Sequence, residues 1–142
     1  MSPAVALDRT PDHVRKAAPL VVAIIEDQAA IAELLRDVLD DAGYEPVIIA
    51  SPLTAVEEIK WSNADIVLLD IMMPRRNGWE VLDDLRADAD TRDLPVVLTS
   101  AVYDRIGRRP LPFGGEIRFA PKPFDFTDLI ETIEGFRDRQ TI

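Results

Sequence analysis

Cysteine is absent from the 142 residues, which excludes disulfide staples, thiolate metal sites and thiol catalysis. Histidine occurs once, at His13, so there is no histidine cluster for a metal and no Ser/His/Asp triad with a base to spare. Basic residues are outnumbered. Lys+Arg 16 against Asp+Glu 26 leave a net charge of −10, and such a surface repels phosphate backbones, which argues against nucleic acid as a partner. No apolar run approaches the ~20 residues of a membrane span. Met1 to Pro19 carries no positive segment followed by an apolar one, so it does not read as a secretory signal. A soluble, cytoplasmic protein is the expectation.

What is present suits a single folded unit. The hydrophobic fraction is 47%, ordinary for a globular chain, and a domain of this length buries roughly two-thirds of the surface its unfolded chain exposes. Residues 1–19 mix prolines with charges and read as an N-terminal extension; residues 20–142 read as one domain.

From residue 20 short apolar runs alternate with amphipathic stretches. Leu20–Ile25 is a continuous apolar run, too short for a helix and suited to a strand buried on both faces. Gln28–Ala42 places Ile31, Leu34, Leu35, Val38 and Leu39 at helical spacing and ends at Gly43. Glu45–Ala50 predicts a second strand, and Pro52 opens a helix running through Trp61. Ile66–Leu69, ending at Asp70, predicts a third strand, and Trp79–Ala87 a helix with Trp79, Val81, Leu82 and Leu85 inward. Pro95–Thr99 and Glu116–Ala120 predict the last two strands, and Asp125–Arg137 a closing helix striped by Leu129, Ile130, Ile133 and Phe136. This alternation predicts an α/β fold, a parallel sheet with helices on both faces. One crossover breaks the pattern: Gly107, Pro110, Pro112, Gly114 and Gly115 leave Ala101–Gly115 room for only a turn or two of helix. Trp61 and Trp79 are expected to pack, and Asn77-Gly78 to make the turn that opens the third helix.

In open α/β sheets ligands sit beyond the carboxyl ends of the strands. The predicted strand ends supply Glu26 and Asp27, Asp70, Thr99 and Ser100, and Lys122. Three carboxylates in one place repel each other unless a cation compensates. Oxygen ligands with room for water favour Mg²⁺ over Zn²⁺. A phosphoryl group on Asp70 would find the metal on one side and Lys122 with Ser100 on the other, the charge stabilisation that phosphoryl transfer requires.

Glu26-Asp27, the loop Asp70-Ile71-Met72-Met73-Pro74-Arg75-Arg76-Asn77-Gly78, the Ser100-Ala101 step and Lys122-Pro123-Phe124 together resemble the response-regulator receiver (CheY-like) domain, over about Leu20 to Phe136. The resemblance implies a flavodoxin-like, doubly wound five-stranded parallel sheet of strand order 2-1-3-4-5. It implies that Asp70 accepts a phosphoryl group from a phosphohistidine on a sensor histidine kinase or histidine phosphotransfer protein. By the same resemblance Asp27, Asp70 and the backbone carbonyl of Met72 hold Mg²⁺, with Glu26 assisting through a water. Ser100 bonds the phosphoryl oxygens and acts as a switch residue. Lys122, before a cis peptide bond to Pro123, pairs with the phosphate. Phe119 is the aromatic switch. Thr99 competes with Ser100 for the hydroxyl role, and the count from Pro95 favours Ser100.

Three features depart from the family's pattern. Glu26 stands where Asp is commoner, Phe119 lacks the hydroxyl of the commoner Tyr, and the fourth crossover is interrupted, which bears on the surface used for targets or for a homodimer. With no output domain after Ile142, signalling is expected through contact with an unidentified target protein or through a phosphorelay. The cluster Arg105, Arg108, Arg109 and Arg118 is either a solvated, charge-balancing surface or a docking patch for an acidic partner.

Three other functions compete. A phosphohydrolase with Asp70 as nucleophile needs a second acid or base, and the position two residues on is the apolar Met72. Met72 and Val102 also occupy, by resemblance, the places that tune self-dephosphorylation, so a long-lived phosphoryl-aspartate is expected instead of turnover. A flavodoxin-type cofactor site would offer Gly, Ser and Thr amides to a phosphate, where this chain has Glu26-Asp27-Gln28. A degenerate receiver acting as a phosphorylation-independent scaffold finds support only in Glu26 and the interrupted crossover.

Overall fold

Each apolar run of the chain becomes a strand of one parallel sheet. In the computed structural model, which describes residues 19–100 and 114–140 with side chains through residue 136, the strands are β1 (Val21–Ile25), β2 (Glu45–Ile48), β3 (Ile66–Asp70), β4 (Val96–Ser100) and β5 (Ile117–Pro121). Their order is β2-β1-β3-β4-β5, every neighbouring pair parallel. The described helices are α1 (Ala29–Asp41), α2 (Ala55–Ser62), α3 (Gly78–Ala87) and α4 (Phe126–Gln140), with a 3₁₀ turn at Pro52–Thr54 ahead of α2. The expected doubly wound sheet and its order are therefore observed. The fourth crossover, expected to be short or irregular, lies outside the described residues, as do His13, Val102 and the arginines 105, 108 and 109.

Period-2 alternation divides the strands between two cores. Val22, Ile24, Ile66, Leu68 and Val97 meet Leu35 and Leu39 of α1 and Leu129, Ile133 and Phe136 of α4. Ala23, Ile25, Val67, Leu69 and Leu98 meet Ile59 of α2 and Val81, Leu82 and Leu85 of α3. Strands buried from both sides need apolar residues at consecutive positions, which is why these runs do not alternate.

Two apolar residues do not pack as their spacing suggested. Leu34 is 48% exposed and Trp61 80% exposed. On α1 the buried stripe runs through Ala32, Leu35 and Leu39, and Leu34 stands one residue, about 100°, off it. On α2 the stripe is Ala55 and Ile59; Trp61 comes two residues after Ile59, about 200° round the helix, and faces solvent. Trp79, by contrast, is half-buried against the α2–α3 core.

Local chemistry sets the loops that carry the site. Gly43, at φ 93°, ends α1 in a backbone conformation that suits glycine. Asn77 caps α3: its side chain accepts from Glu80 N while the Glu80 carboxylate accepts from Asn77 N, a reciprocal capping box. Gly78 is required by crowding, since a Cβ there would lie 2.4 Å from the Asp70 carbonyl oxygen and 2.6 Å from Ile71 Cα. The chain can thus turn from the end of β3 into α3 directly behind Asp70.

Candidate functional site

The topology reverses between β1 and β3. The chain leaves β1 toward β2 on one side and returns to β3 on the other, and the crevice this opens lies beyond the carboxyl ends of the strands. Glu26 and Asp27 follow β1 directly and Asp70 is the last residue of β3. One carboxylate oxygen from each of the three lies within 4.8 Å of the others. Glu26 and Asp70 are buried and Asp27 is exposed, so the cluster opens to solvent on the Asp27 side.

Lys122, just past the end of β5, reaches across this cluster. Its Nζ lies 2.7 Å from Glu26 Oε1 and 3.4 Å from Asp70 Oδ2. The lysine's backbone is held to β4, where Lys122 N donates to the Ser100 carbonyl at 3.0 Å, and the peptide bond to Pro123 is cis. Asp70 Oδ1 accepts from Met72 N at 3.0 Å, and Glu26 Oε2 accepts from Gln28 N at 3.3 Å. Each buried carboxylate therefore has at least one charged and one backbone partner, as buried charge requires.

Compensation is nonetheless incomplete. Burial, and then the charge of Glu26, push the Asp70 carboxyl from 3.8 up to about 7, against the opposing pull of Lys122 and the Met72 N–H. Three carboxylates face one ammonium, so ionising all of them leaves an excess of two negative charges. An all-oxygen donor set with uncompensated charge, open to solvent at one side, suits a hard divalent cation such as Mg²⁺.

The remaining expected site residues lie on β4, on β5 and in the loop after β3. Thr99 pairs with Asp70 in the β3–β4 register and Ser100 pairs with Pro121 across β4–β5; both are buried. Alternation puts Thr99 in line with Val97 and Ser100 in line with Leu98, on opposite faces of the strand. Phe119 is half-buried against the α2–α3 core. Met72 is 60% exposed beside Asp70, with its backbone N–H turned to the Asp70 carboxylate. Arg118, grouped in sequence with the three arginines before it, is engaged locally: its guanidinium lies 4.9 Å from the Phe136 ring centroid and 3.5 Å from Glu116.

Sequence reasoning did not anticipate that Lys122 makes its shorter contact with Glu26. It also passed over Arg75, which lines a cleft next to Asp27. The only sequence signal for Arg75 is its place in the loop after Asp70.

Comparison with known proteins agrees with the topology. The response regulator receiver domain family matches residues 22–134. The polar-differentiation response regulator DivK of Brucella ovis is 30% identical over 115 residues, covering 81% of this chain and 94% of that protein. The Brucella anthropi DivK is 30% identical over 118 residues, covering 83% and 96%. Among solved structures, a putative response regulator from Chloroflexus aurantiacus superposes with a TM-score of 0.73 at 27% identity, covering 84% of this chain and 98% of that one. The receiver domain of a sensor histidine kinase from Pseudomonas aeruginosa, determined with a magnesium ion in its active-site cleft, has the same fold at a TM-score of 0.75, 21% identity and 85% and 99% coverage. A doubly wound sheet whose crevice gathers acidic residues and a lysine defines a receiver domain, and the chain belongs to the response regulator receiver family. It is a receiver domain of two-component signalling, with DivK-type regulators among its relatives. No helix among the described residues is long and apolar enough to cross a membrane.

Proposed function

We propose that residues 20–142 act as a phosphorylation switch: Asp70 accepts a phosphoryl group from a phosphohistidine on a sensor histidine kinase or histidine phosphotransfer protein in a Mg²⁺-dependent reaction, and the modified domain signals by contact with another protein or by relay. Residues 1–19 are then an extension outside the switch. The observation that carries this reading is the placement of Asp70 at a strand end, buried, with Glu26, Asp27 and Lys122 around it.

Glu26, Asp27, Asp70 and the Met72 carbonyl are the groups that would hold the metal. When bound, Mg²⁺ would supply positive charge that keeps Asp70 ionised at neutral pH and balances the oxygens of the transferring group. The remaining work belongs to the chain. The Met72 N–H at Asp70 Oδ1 orients the carboxylate, leaving Oδ2 toward Lys122. An Asp70 oxygen attacks phosphorus, and the bond from phosphorus to the donor nitrogen breaks with its electron pair going to the imidazole. Lys122 would exchange its Asp70 contact for one to the phosphoryl oxygens, and the Ser100 hydroxyl would bond them. Met72, apolar and exposed, offers nothing to orient an attacking water, which supports a long-lived phosphoryl-aspartate and not turnover.

Intact mass after incubation with Mg²⁺ and acetyl phosphate tests the reading, with Asp70→Asn as control. The expected result is one added phosphoryl group, lost without Mg²⁺ and in the variant. If no phosphoryl group is added and Mg²⁺ does not bind, the domain works as a scaffold independent of phosphorylation.

A further inference from the structure

A cleft of about 100 Å³ lies beside the carboxylate cluster, about three water volumes at ~30 Å³ each. It is walled by Glu26 and Asp27 after β1, Ile49 and Pro52 after β2, and Met73 and Arg75 after β3. Two adjacent arginines follow Pro74, and they are placed very differently. Arg76 is committed to α3, with Nη2 2.7 Å and Nε 2.9 Å from Asp84 Oδ2 and Nη1 3.3 Å from Glu80. Arg75 is exposed, lines the cleft, and has no ion pair or hydrogen bond among the described residues.

A phosphoryl donor arrives as an anion. The carboxylate cluster and Lys122 together carry an excess of two negative charges, which a divalent ion balances with nothing left over for the donor. Lys122 is already engaged with Glu26 and Asp70. A cation with no partner among the described residues, on the loop after the acceptor and lining a cleft beside the carboxylate cluster, is therefore a further group able to meet the incoming charge. We propose that Arg75 binds the phosphoryl dianion of the donor in this cleft and delivers it to Asp70, as a specificity-determining residue for the phosphoryl donor. The inference rests on the reading of Asp70 as acceptor. The shared ligand chemistry is a terminal phosphoryl group, oxygen-linked in an acyl phosphate or nitrogen-linked in a phosphoramidate. In the first case an Asp70 oxygen bonds phosphorus and acetate leaves with the P–O pair. In the second the P–N bond breaks and ammonia leaves, its protons already on nitrogen in the zwitterionic donor.

The test compares the full chain with Arg75→Gln and Arg75→Lys in saturating Mg²⁺. Initial rates of mass gain are followed against acetyl phosphate and against phosphoramidate, at low and high salt, and Mg²⁺ affinity is measured by calorimetry. The expected result for Arg75→Gln is a rate per unit donor about fivefold lower at low salt, converging with wild type at high salt because screening removes the charge effect. Arg75→Lys recovers most of the rate, and Mg²⁺ affinity is unchanged in both. A deficit confined to one donor supports the assignment and names the linkage that Arg75 serves. Equal donor dependence in wild type and Arg75→Gln overturns it. So does an unchanged rate with tighter Mg²⁺ binding, which would make Arg75 a counter-charge to Asp27. A wild-type chain that gains no mass from either donor overturns this inference, and if it also binds no Mg²⁺ the Asp70 reading falls with it.

Discussion

Lys122 is closer to Glu26 than to Asp70, 2.7 Å against 3.4 Å. Glu26 shares this lysine with the acceptor, and its own charge further raises Asp70. Glu26→Gln removes that repulsion and releases Lys122 toward Asp70, and both effects favour the ionised acceptor. The Asp70 titration, followed by carboxyl NMR in the metal-free protein, is expected to fall by about one unit or more. Mg²⁺ affinity is expected to weaken about tenfold with one carboxylate lost. An unmoved Asp70 titration would place the cause in burial alone.

The raised acceptor also predicts how stability depends on pH. A carboxyl at 3.8 unfolded and about 7 folded binds its proton more tightly in the fold. Its contribution is complete below about pH 4 and is lost as pH rises to about 7, beyond which the fold carries a buried, repelled charge. Asp70→Asn carries no such charge. In metal-free buffer it is expected to be more stable than wild type at pH 8, by an order of a few kcal/mol at most, with the gap closing toward pH 4. Added Mg²⁺ should stabilise wild type far more than the variant, since it binds the ionised carboxylate. Urea unfolding at the two pH values, with and without Mg²⁺, checks both statements; a gap independent of pH would refute the linkage.

The strands were legible in the sequence because burial on both faces demands unbroken apolar runs such as Val21–Ile25, and no other element of that length needs them. Asp27, Asp70 and Lys122 were legible as a set because strand ends in a parallel sheet converge, whatever their distance in sequence. Trp61 was misjudged because hydrophobicity is a one-way guide: apolar residues supply the core, but many remain on the surface. Arg86 was missed for the opposite reason. It is 6% exposed among the buried residues of α3, and nothing in its type announces that. The pairing of Lys122 with Glu26 depends on tenths of an ångström that no pattern encodes.

Gly78 connects the turn after β3 to the acceptor. A Cβ there would meet backbone, the Asp70 carbonyl oxygen at 2.4 Å and Ile71 Cα at 2.6 Å, and no side-chain rotation relieves either contact. Gly78→Ala is expected to cost roughly 2–4 kcal/mol in urea unfolding. The displacement reaches the residue that offers its carboxylate, so Mg²⁺ affinity should fall as well. A neighbouring substitution that removes the capping box, Asn77→Ala, is expected to cost only about 1 kcal/mol and to leave Mg²⁺ affinity near wild type. Equal effects of the two variants on Mg²⁺ affinity would deny Gly78 this particular role.

Arg86 ties the end of α3 to the start of β5. Its guanidinium donates to the carbonyls of Thr91 at 3.4 Å, Gly115 at 3.1 Å and Glu116 at 3.5 Å, while its Nε is buried without a hydrogen-bond partner. Burial, only partly opposed by Asp93, lowers its affinity for the proton from the ordinary arginine value. Gly114, at φ 142°, lets the backbone pass where a Cβ would lie 2.3 Å from Arg86 Cδ. A buried charge that among the described residues bonds neutral carbonyls and forms no ion pair is held by geometry, so the planar, many-donor guanidinium matters more than its charge. Arg86→Lys, which keeps the charge and loses the fork, is expected to destabilise by about 2–4 kcal/mol. Arg86→Met, which fills similar space without a buried charge to satisfy, is expected to cost less than Arg86→Lys. Hydrogen exchange should show the loss of protection at Gly115 N, which donates to the Arg92 carbonyl, and at Val96 N, which donates to Glu116. If lysine proves the better replacement, charge and not the fork is what holds β5 to α3.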